Sequence, residues 1–215
     1  MAKVALLALG GCISNEDLDM AKPYEYVCAA DSGSDRLKSF NIIPDLVIGD
    51  LDSVTPEGLK WAISKGAQVK EFPKDKDSTD AELACFELSS LGFDLIKIVG
   101  IQGLSMDRPD HMLFNYTLFG LEESLNLRII GYSGGFEILA HQGVKNYFSK
   151  PGMIVSVMPF FGQASIKLEG LKWSFEGLIT INKSRTISNI ALGDFKIWSN
   201  QKILVFIQHT KSLVS

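Results

Sequence analysis

The chain has 215 residues, of which 46% are hydrophobic and 21% are charged, and this composition excludes an intrinsically disordered protein. Its formal net charge of −4 provides no positive field for nucleic acid, so we expect a small-molecule ligand and no nucleic-acid partner. The three cysteines are dispersed, and no apolar run approaches the ~20 residues of a membrane span. We therefore predict a soluble, cytoplasmic protein with reduced thiols and no membrane partner.

Five apolar runs alternate with amphipathic segments in the first part of the chain. This alternation is typical of parallel βαβ units, whose buried strands are continuously apolar. The predicted strands are KVALLALGG, YEYVCAADSG, DLVIGDLDS, DLIKIVGIQG and LRIIGYSGG. Residues 1–142 are therefore predicted to form an α/β domain, with a parallel sheet in a three-layer, Rossmann-like arrangement.

Three helices are predicted in the same domain. The first, TPEGLKWAISKG, begins with Thr55 as N-cap and a proline in its first turn. The second, STDAELACFELSSLG, has a capping box formed by Thr79 and Glu82. The third, DHMLFNYTLFGLEESLN, is interrupted by Gly120, which weakens a helix interior.

The pattern of hydrophobic residues changes near residue 143. The later runs KPGMIVSVMPFFG, ASIKLEGLKWSFEG, LITINKSRTISNI and KILVFIQHT are short, rich in β-branched residues and separated by Gly, Pro and Asn. This pattern predicts an antiparallel β-sandwich over residues 143–215. Trp173 is expected in its core.

Acidic residues follow four successive predicted strand ends, the third of which is the run VKEFP. Ligands of open α/β sheets bind beyond the carboxyl ends of the strands, so these side chains are expected on one rim. They are Asp31, then Asp50 and Asp52, then Asp75, Asp77 and Asp80, then Asp107 and Asp110, the last two beside Arg108 and His111. A single such residue usually caps a turn, but several carboxylates within a few ångströms need a cation, and Mg²⁺ prefers oxygen ligands.

The segment KDKDSTD predicts a phosphate site beside this metal site. Asp80 falls in the first turn of the helix that Thr79 caps, where free N–H groups point outwards. Lys74 and Lys76 place positive charge alongside. Arg108 provides a fork of donors that suits phosphate, although a surface ion pair with a neighbouring aspartate is an equally simple explanation.

The motifs ADSGSDRL, PDLVIGDLDS, DKDSTD and DRPDH resemble those of the thiamine pyrophosphokinase family, and GLKW and SN continue the likeness. The resemblance implies Mg²⁺-dependent transfer of pyrophosphate from ATP to thiamine, in a homodimer with active sites at the subunit interface. It implies metal ligands at Asp50, Asp52 and Asp80, and a catalytic role for these residues and Arg108. It implies a nucleotide and phosphate site formed by Asp31, Gly33, Asp77, Ser78, Thr79, Asp110 and His111. Ser188 and Asn189 would approach thiamine from the partner's second domain.

The sequence departs from the family pattern at three places. Ser32 stands where the family usually has the first of two glycines, and the turn before the arginine is the longer GIQGLSMDRPDH. Leu192 lies in the region where some members have an aromatic residue that stacks on thiamine. This last difference leaves the acceptor open to another alcohol.

Two other functions are compatible with parts of this pattern. DLDSV at a strand end also fits a haloacid-dehalogenase-type phosphatase, in which Asp50 would be a covalent nucleophile. That fold requires a later acidic pair, which is missing after the late strands. A nucleotide sensor that binds ATP and Mg²⁺ without catalysis is the second alternative.

Overall fold

The computed structural model describes residues 2–102, 108–160 and 162–209. The chain divides into two compact units, Met1–Gly134 and Gly135–Ser215. Within the described residues, no helix combines the length and the apolar character needed to cross a membrane.

In its described residues, the first unit is an α/β fold around a parallel sheet of six strands. The strands are β1 Val4–Ala8, β2 Tyr26–Ala30, β3 Leu46–Gly49, β4 Gln68–Glu71, β5 Leu95–Val99 and β6 Arg128–Ser133. The helices are α1 Asn15–Ala21, α2 Gly33–Ser39, α3 Pro56–Ser64, α4 Asp80–Ser90, α5 Pro109–Asn115 and α6 Glu122–Leu125, with a 3-10 helix at Tyr116–Leu121. The strand order is β6-β5-β1-β2-β3-β4, and every pair is parallel.

The central strands are buried along almost their whole length, as their continuously apolar sequences predict. Leu6 and Ala8 of β1 pack in one core cluster with residues of α1, α2 and α3. Helix α4 contacts β2 and β3. The α/β fold with a parallel sheet, predicted for this part of the chain, is therefore confirmed.

The predicted helix signals are found in α3 and α4. Thr55 caps α3 by accepting a hydrogen bond from the Gly58 N–H at 3.0 Å. Thr79 and Glu82 form the predicted capping box of α4. The third predicted helix is divided into α5, the 3-10 helix and α6, and Gly120 lies within the 3-10 segment.

Two helices of the first unit were not predicted, and strand β4 was predicted only as a strand end at VKEFP. Strand β4 is exposed along its length at the edge of the sheet, so it lacks the apolar run that identifies a buried strand. Helices α1 and α2 have only seven residues each, which is too short to show a helical period.

The second unit is rich in β-structure. Its strands are β7 Phe136–Tyr147, β8 Ile154–Pro159, β9 Gln163–Leu171, β10 Phe175–Thr180 and β11 Asn189–Gln208. The antiparallel prediction holds for the pairs β7–β11, β9–β11 and β9–β10, whereas β8 runs parallel to β11. The packing of two sheets as a sandwich stays a prediction.

The two units meet earlier in the sequence than the predicted boundary at residues 142 and 143. Strand β7 begins at Phe136 and continues without interruption past Gly143. The predicted boundary fell inside this strand because the short, β-rich runs that suggested a second domain come after Gly143. The register shows Gly143 paired with Ser199 of β11, so this glycine belongs to the ladder.

Helix α2 lies directly against the end of β1. A Cβ atom at Gly33 would lie 2.1 Å from the carbonyl oxygen of Ala8 and 2.9 Å from its carbonyl carbon. Both obstructing atoms belong to the backbone of a central strand, so a rotamer change cannot relieve the clash. Gly33 therefore permits the close approach of α2 to the sheet.

The substitution Gly33→Ala is expected to lower the free energy of unfolding by about 1–3 kcal/mol, because α2 must move away from β1. Urea unfolding followed by circular dichroism measures this change. Lys38→Ala, an exposed position on the same helix, is the control and should change stability by less than ~0.5 kcal/mol. Wild-type stability in Gly33→Ala would show that the helix can shift without cost.

Candidate active site

A cavity of about 700 Å³ lies in the first unit, beyond the carboxyl ends of its strands. This is the position at which open α/β sheets bind ligands, and the volume suits a nucleotide-sized molecule. Nine predicted site residues line it: Asp31, Asp50, Asp52, Ser78, Thr79, Asp80, Arg108, Asp110 and His111. The predicted convergence of the strand ends on one rim is observed for these residues.

Asp31 organises the loop that follows β3. Its side chain is 7% exposed, and its Oδ1 accepts a hydrogen bond from the Val54 N–H at 3.0 Å. Its backbone is left-handed, with φ of 46°, a conformation that Asp and Asn tolerate better than most residues. Leu51 also has a left-handed φ of 62°, so the loop turns sharply between the two aspartates that flank it.

Three carboxylates converge at this loop. Asp31, Asp50 and Asp52 each offer an oxygen, and these oxygens all lie within 4.8 Å of one another. Burial raises the pKa of Asp31, and the negative charges of Asp80 and Asp50 raise it further, while hydrogen bonds from Ser53 and the Val54 N–H oppose the shift. A group of oxygen donors with this mutual repulsion fits Mg²⁺.

Two lysines partly neutralise the carboxylates. The Nζ of Lys76 lies 3.1 Å from Oδ2 of Asp50 and 3.0 Å from Oδ1 of Asp80, and its side chain is only 14% exposed. Burial disfavours the charged ammonium, but the two carboxylates more than compensate and raise the pKa of Lys76. Lys74, which is exposed, lies 3.0 Å from Oδ2 of Asp52. Both lysines are therefore held at the cavity as cations.

The predicted metal group and the observed group differ in one member. Asp50 and Asp52 were predicted to bind metal with Asp80, whereas in the structure they form a group with Asp31. Asp80 lies close by, because a Cβ at Gly49 would be 2.9 Å from its Cγ and 3.2 Å from the Cβ of Asp31. The carboxylate of Asp80 is paired with Lys76 in this arrangement.

A glycine pair after β1 forms another wall of the cavity, and the sequence analysis missed it. Gly10 and Gly11 line the cavity, and a Cβ at Gly11 would be 1.7 Å from the carbonyl oxygen of Gln102. A Cβ at Gly10 would be 2.2 Å from the Ser32 hydroxyl. The signal that would have identified this wall is the dipeptide Gly-Gly at the end of the first apolar run.

Arg108, Asp110 and His111 form an exposed group at the start of α5. Arg108 donates from Nη2 to Oδ2 of Asp110 at 2.9 Å and from Nε to Oδ1 at 3.1 Å, and it also contacts His111. The guanidinium lowers the pKa of Asp110 to about 2. The ion pair considered in the sequence analysis is thus present, with Asp110 as partner; Asp107 lies outside the described residues.

The remaining predicted residues do not line this cavity. Gly33 is the packing residue of α2, and Asp77 is exposed on the segment before α4. Ser188 and Asn189 belong to the second unit. Asn189 is 3% exposed, and its amide accepts from the Trp173 N–H at 3.1 Å and donates to the Trp173 carbonyl at 2.7 Å. This amide therefore fixes the turn that carries Trp173.

The expectation that Trp173 is a core residue is wrong. Its side chain is 53% exposed, and the Nζ of Lys172 lies 4.8 Å from the centre of its ring. The composition of GLKW alone does not distinguish a buried indole from one presented by a turn.

A parallel sheet with carboxylates and lysines at its carboxyl edge is typical of α/β enzymes that bind phosphorylated substrates. The family model of the catalytic domain of thiamin pyrophosphokinase matches residues 19–130. The chain belongs to the thiamin pyrophosphokinase family. The predicted resemblance and the predicted transferase activity are thereby confirmed, and the dehalogenase-type alternative loses its support.

Named relatives agree with this assignment. The thiamine pyrophosphokinase of Bacillus subtilis (strain 168) is 26% identical over 185 residues, which cover 84% of this chain and 85% of the relative. A crystal structure of the Bacillus subtilis enzyme superimposes with a TM-score of 0.80 at 23% identity, covering 97% of this chain and all of the other. The yeast enzyme gives a TM-score of 0.81 at 15% identity, covering 97% and 87% of the two chains.

The substitution Asp31→Asn is expected to raise the melting temperature in the presence of a chelator by about 2–4 °C. Asparagine keeps an oxygen for the Val54 N–H and tolerates the left-handed backbone, but it removes a buried negative charge. Because folding raises the pKa of Asp31, protonation favours the folded state in acid, and this contribution is lost as the pH rises through the folded-state pKa. The gain should therefore be full at about pH 7 and smaller at about pH 4.

Scanning calorimetry at the two pH values measures this effect. Added Mg²⁺ should raise the melting temperature of the wild type more than that of Asp31→Asn. A variant that is less stable than the wild type at neutral pH would contradict the electrostatic argument.

Proposed function

We propose that this enzyme transfers a diphosphate group from ATP to the hydroxyl group of thiamine, releasing AMP, with Mg²⁺ held at Asp31, Asp50 and Asp52. The observation that carries the proposal is the convergence of these three carboxylates within 4.8 Å, beside two lysines, in a cavity large enough for a nucleotide. When bound there, Mg²⁺ supplies positive charge to the phosphate oxygens. Asp80, the third ligand predicted from the sequence, lies beside this group and shares Lys76 with Asp50.

In the proposed reaction, the thiamine hydroxyl oxygen bonds to the β-phosphorus of ATP. The bond from this phosphorus to the oxygen shared with the α-phosphate breaks, AMP leaves with that oxygen, and the hydroxyl proton is released to water. Such transfers depend on positioning and charge neutralisation, and they need no covalent enzyme intermediate. We propose that Asp80 orients the hydroxyl, because it lies beside the metal group in the first turn of α4.

The lysines are proposed to bind phosphate oxygens. Lys76 now contacts two carboxylates and Lys74 contacts one, and all of these contacts are ion pairs that a phosphate could replace. Arg108 is exposed at the mouth of the same cavity and could exchange Asp110 for phosphate. Gly10 and Gly11 line the same cavity, and their backbone is proposed to lie beside the phosphates.

Thiamine is proposed to reach the site in a homodimer in which the partner subunit supplies Ser188 directly and Asn189 through the turn that it fixes. Leu192 is 62% exposed and offers no aromatic ring. We propose that the exposed indole of Trp173, whose turn is fixed by Asn189, serves as the aromatic contact instead. Thiamine carries a thiazolium cation, which an indole ring attracts.

The first test is a product assay with the purified chain, ATP, Mg²⁺ and thiamine, separated by chromatography. AMP and thiamine diphosphate are expected in equal amounts, because one transfer produces one molecule of each. ADP with thiamine monophosphate would instead show transfer of a single phosphoryl group. Bound ATP with neither product would favour the sensor or another alcohol acceptor, and Leu192 would then be the first position to substitute.

The substitution Asp52→Asn is expected to lower the turnover rate by about 100-fold or more, because it removes a charged metal ligand without changing the shape of the side chain. The fold should persist, since Asp52 is exposed on its loop. Steady-state kinetics and the far-UV circular dichroism spectrum test both points. Asp19→Asn, the same chemical change on the exposed face of α1, is the matched control. Wild-type turnover in a folded Asp52→Asn enzyme would remove Asp52 from the metal site.

A further inference from the structure

Asp35, in the first turn of α2, is hydrogen-bonded to Thr55 at the far end of the carboxylate loop, residues 50–55. Its Oδ2 accepts a hydrogen bond from the Thr55 N–H at 2.8 Å, and its Oδ1 accepts one from the Thr55 hydroxyl at 2.5 Å. The Thr55 hydroxyl in turn accepts from the Gly58 N–H at 3.0 Å. A continuous series of hydrogen bonds thus joins α2 to the first turn of α3.

Gly58 leaves room for the Asp35 side chain to reach Thr55. A Cβ at this position would lie 2.0 Å from Oδ1 of Asp35 and 2.8 Å from its Cγ. Gly58 has no left-handed backbone that would require glycine, and it stands inside a helix, where alanine is favoured by about 1 kcal/mol. The absence of a side chain is therefore explained by the Asp35 carboxylate that occupies its place.

The hydrogen bonds from Asp35 to Thr55 matter because they hold one end of the loop that carries the metal group. The loop from Asp50 to Thr55 carries two of the carboxylates of the metal group, and Leu51 holds a left-handed backbone between them. Asp31 fixes the loop at Val54 from β2, and Asp35 fixes the next residue from α2. Gly33 allows α2 to pack closely against β1. Asp35 therefore fixes the position of the loop relative to the central strand of the sheet.

We propose that Asp35 is a positioning residue that sets the spacing of Asp50 and Asp52, and thereby the affinity of the site for a divalent cation. Asp35 does not line the cavity, and it acts through Thr55. Helix capping alone does not explain it, because Thr55 already caps α3 through the Gly58 N–H. The inference rests on the metal site of the proposed function.

The experiment measures Mn²⁺ binding to the full chain by electron paramagnetic resonance, in the wild type, Asp35→Ala and Gly58→Ala. Both variants are expected to bind Mn²⁺ about tenfold more weakly, the effect typical of residues that orient metal ligands. The double variant should bind about as weakly as each single one, because both changes break the same contact. Lys60→Ala, exposed on α3, is the control and should bind Mn²⁺ like the wild type.

Gly58→Ala separates positioning from a general loss of structure. This variant keeps Asp35 and Thr55, and alanine favours the helix more than glycine does. Urea unfolding in the presence of a chelator should therefore show a stability close to that of the wild type, while the affinity for Mn²⁺ falls. It also provides a result if Asp35→Ala does not fold. Asp35→Asn, which keeps one oxygen acceptor for Thr55, should recover part of the affinity.

The outcomes distinguish this inference from the proposed function. If the wild type binds Mn²⁺ and folded Asp35→Ala and Gly58→Ala bind it equally well, the positioning role is wrong and the metal site stands. If the wild type itself binds no Mn²⁺, the metal site is wrong and the positioning role is rejected with it.

Discussion

The mutual repulsion of four carboxylates at one edge of a parallel sheet is the constraint on which this site depends. Asp31, Asp50, Asp52 and Asp80 lie together because three parallel segments of chain end at the same edge. Such a cluster stays folded only if other groups compensate for its charge. The structure supplies Lys76 between two of the carboxylates, Lys74 beside a third, and a backbone N–H donor to the buried fourth. The residues of the carboxyl edge are therefore best understood as one electrostatic unit.

The backbone around this unit is held by close contacts rather than by large side chains. Gly33 lets α2 touch β1, and Gly58 leaves space for Asp35 to reach the loop after β3. Arg36, the neighbour of Asp35 on the same helix, donates from Nε to the carbonyl of Gly10 at 2.9 Å. One short helix thus contacts both the glycine wall and the carboxylate loop of the cavity. Rigid support of this kind is what a site needs if its ligands are to keep their geometry without bound metal.

The parts of this structure that were predictable are those encoded by local pattern. Apolar runs identified the buried strands, and Thr79 with Glu82 identified the start of α4, because capping is decided within four residues. The metal group was only partly predicted, because whether Asp31 or Asp80 joins Asp50 and Asp52 depends on side-chain directions across different strands. Asp35 left no signal at all, since its partner is 20 residues away and meets it only through the packing of α2. Strand β4 gave only a weak signal because it is exposed and has no continuous apolar run, and β7 was missed because its sequence has no regular apolar alternation.

Charge balance connects the arrangement of the site to the proposed chemistry. Four carboxylates against two paired lysines leave about two uncompensated negative charges in the described part of the cavity, which one divalent cation would neutralise. A triphosphate brings further negative charge, and it can be accommodated only if the lysines turn from the carboxylates towards it. The same lysines that stabilise the unliganded cluster would then serve the substrate, while the cation takes their place at the carboxylates. Metal and nucleotide are therefore expected to bind cooperatively, since each removes the repulsion that the other would otherwise meet.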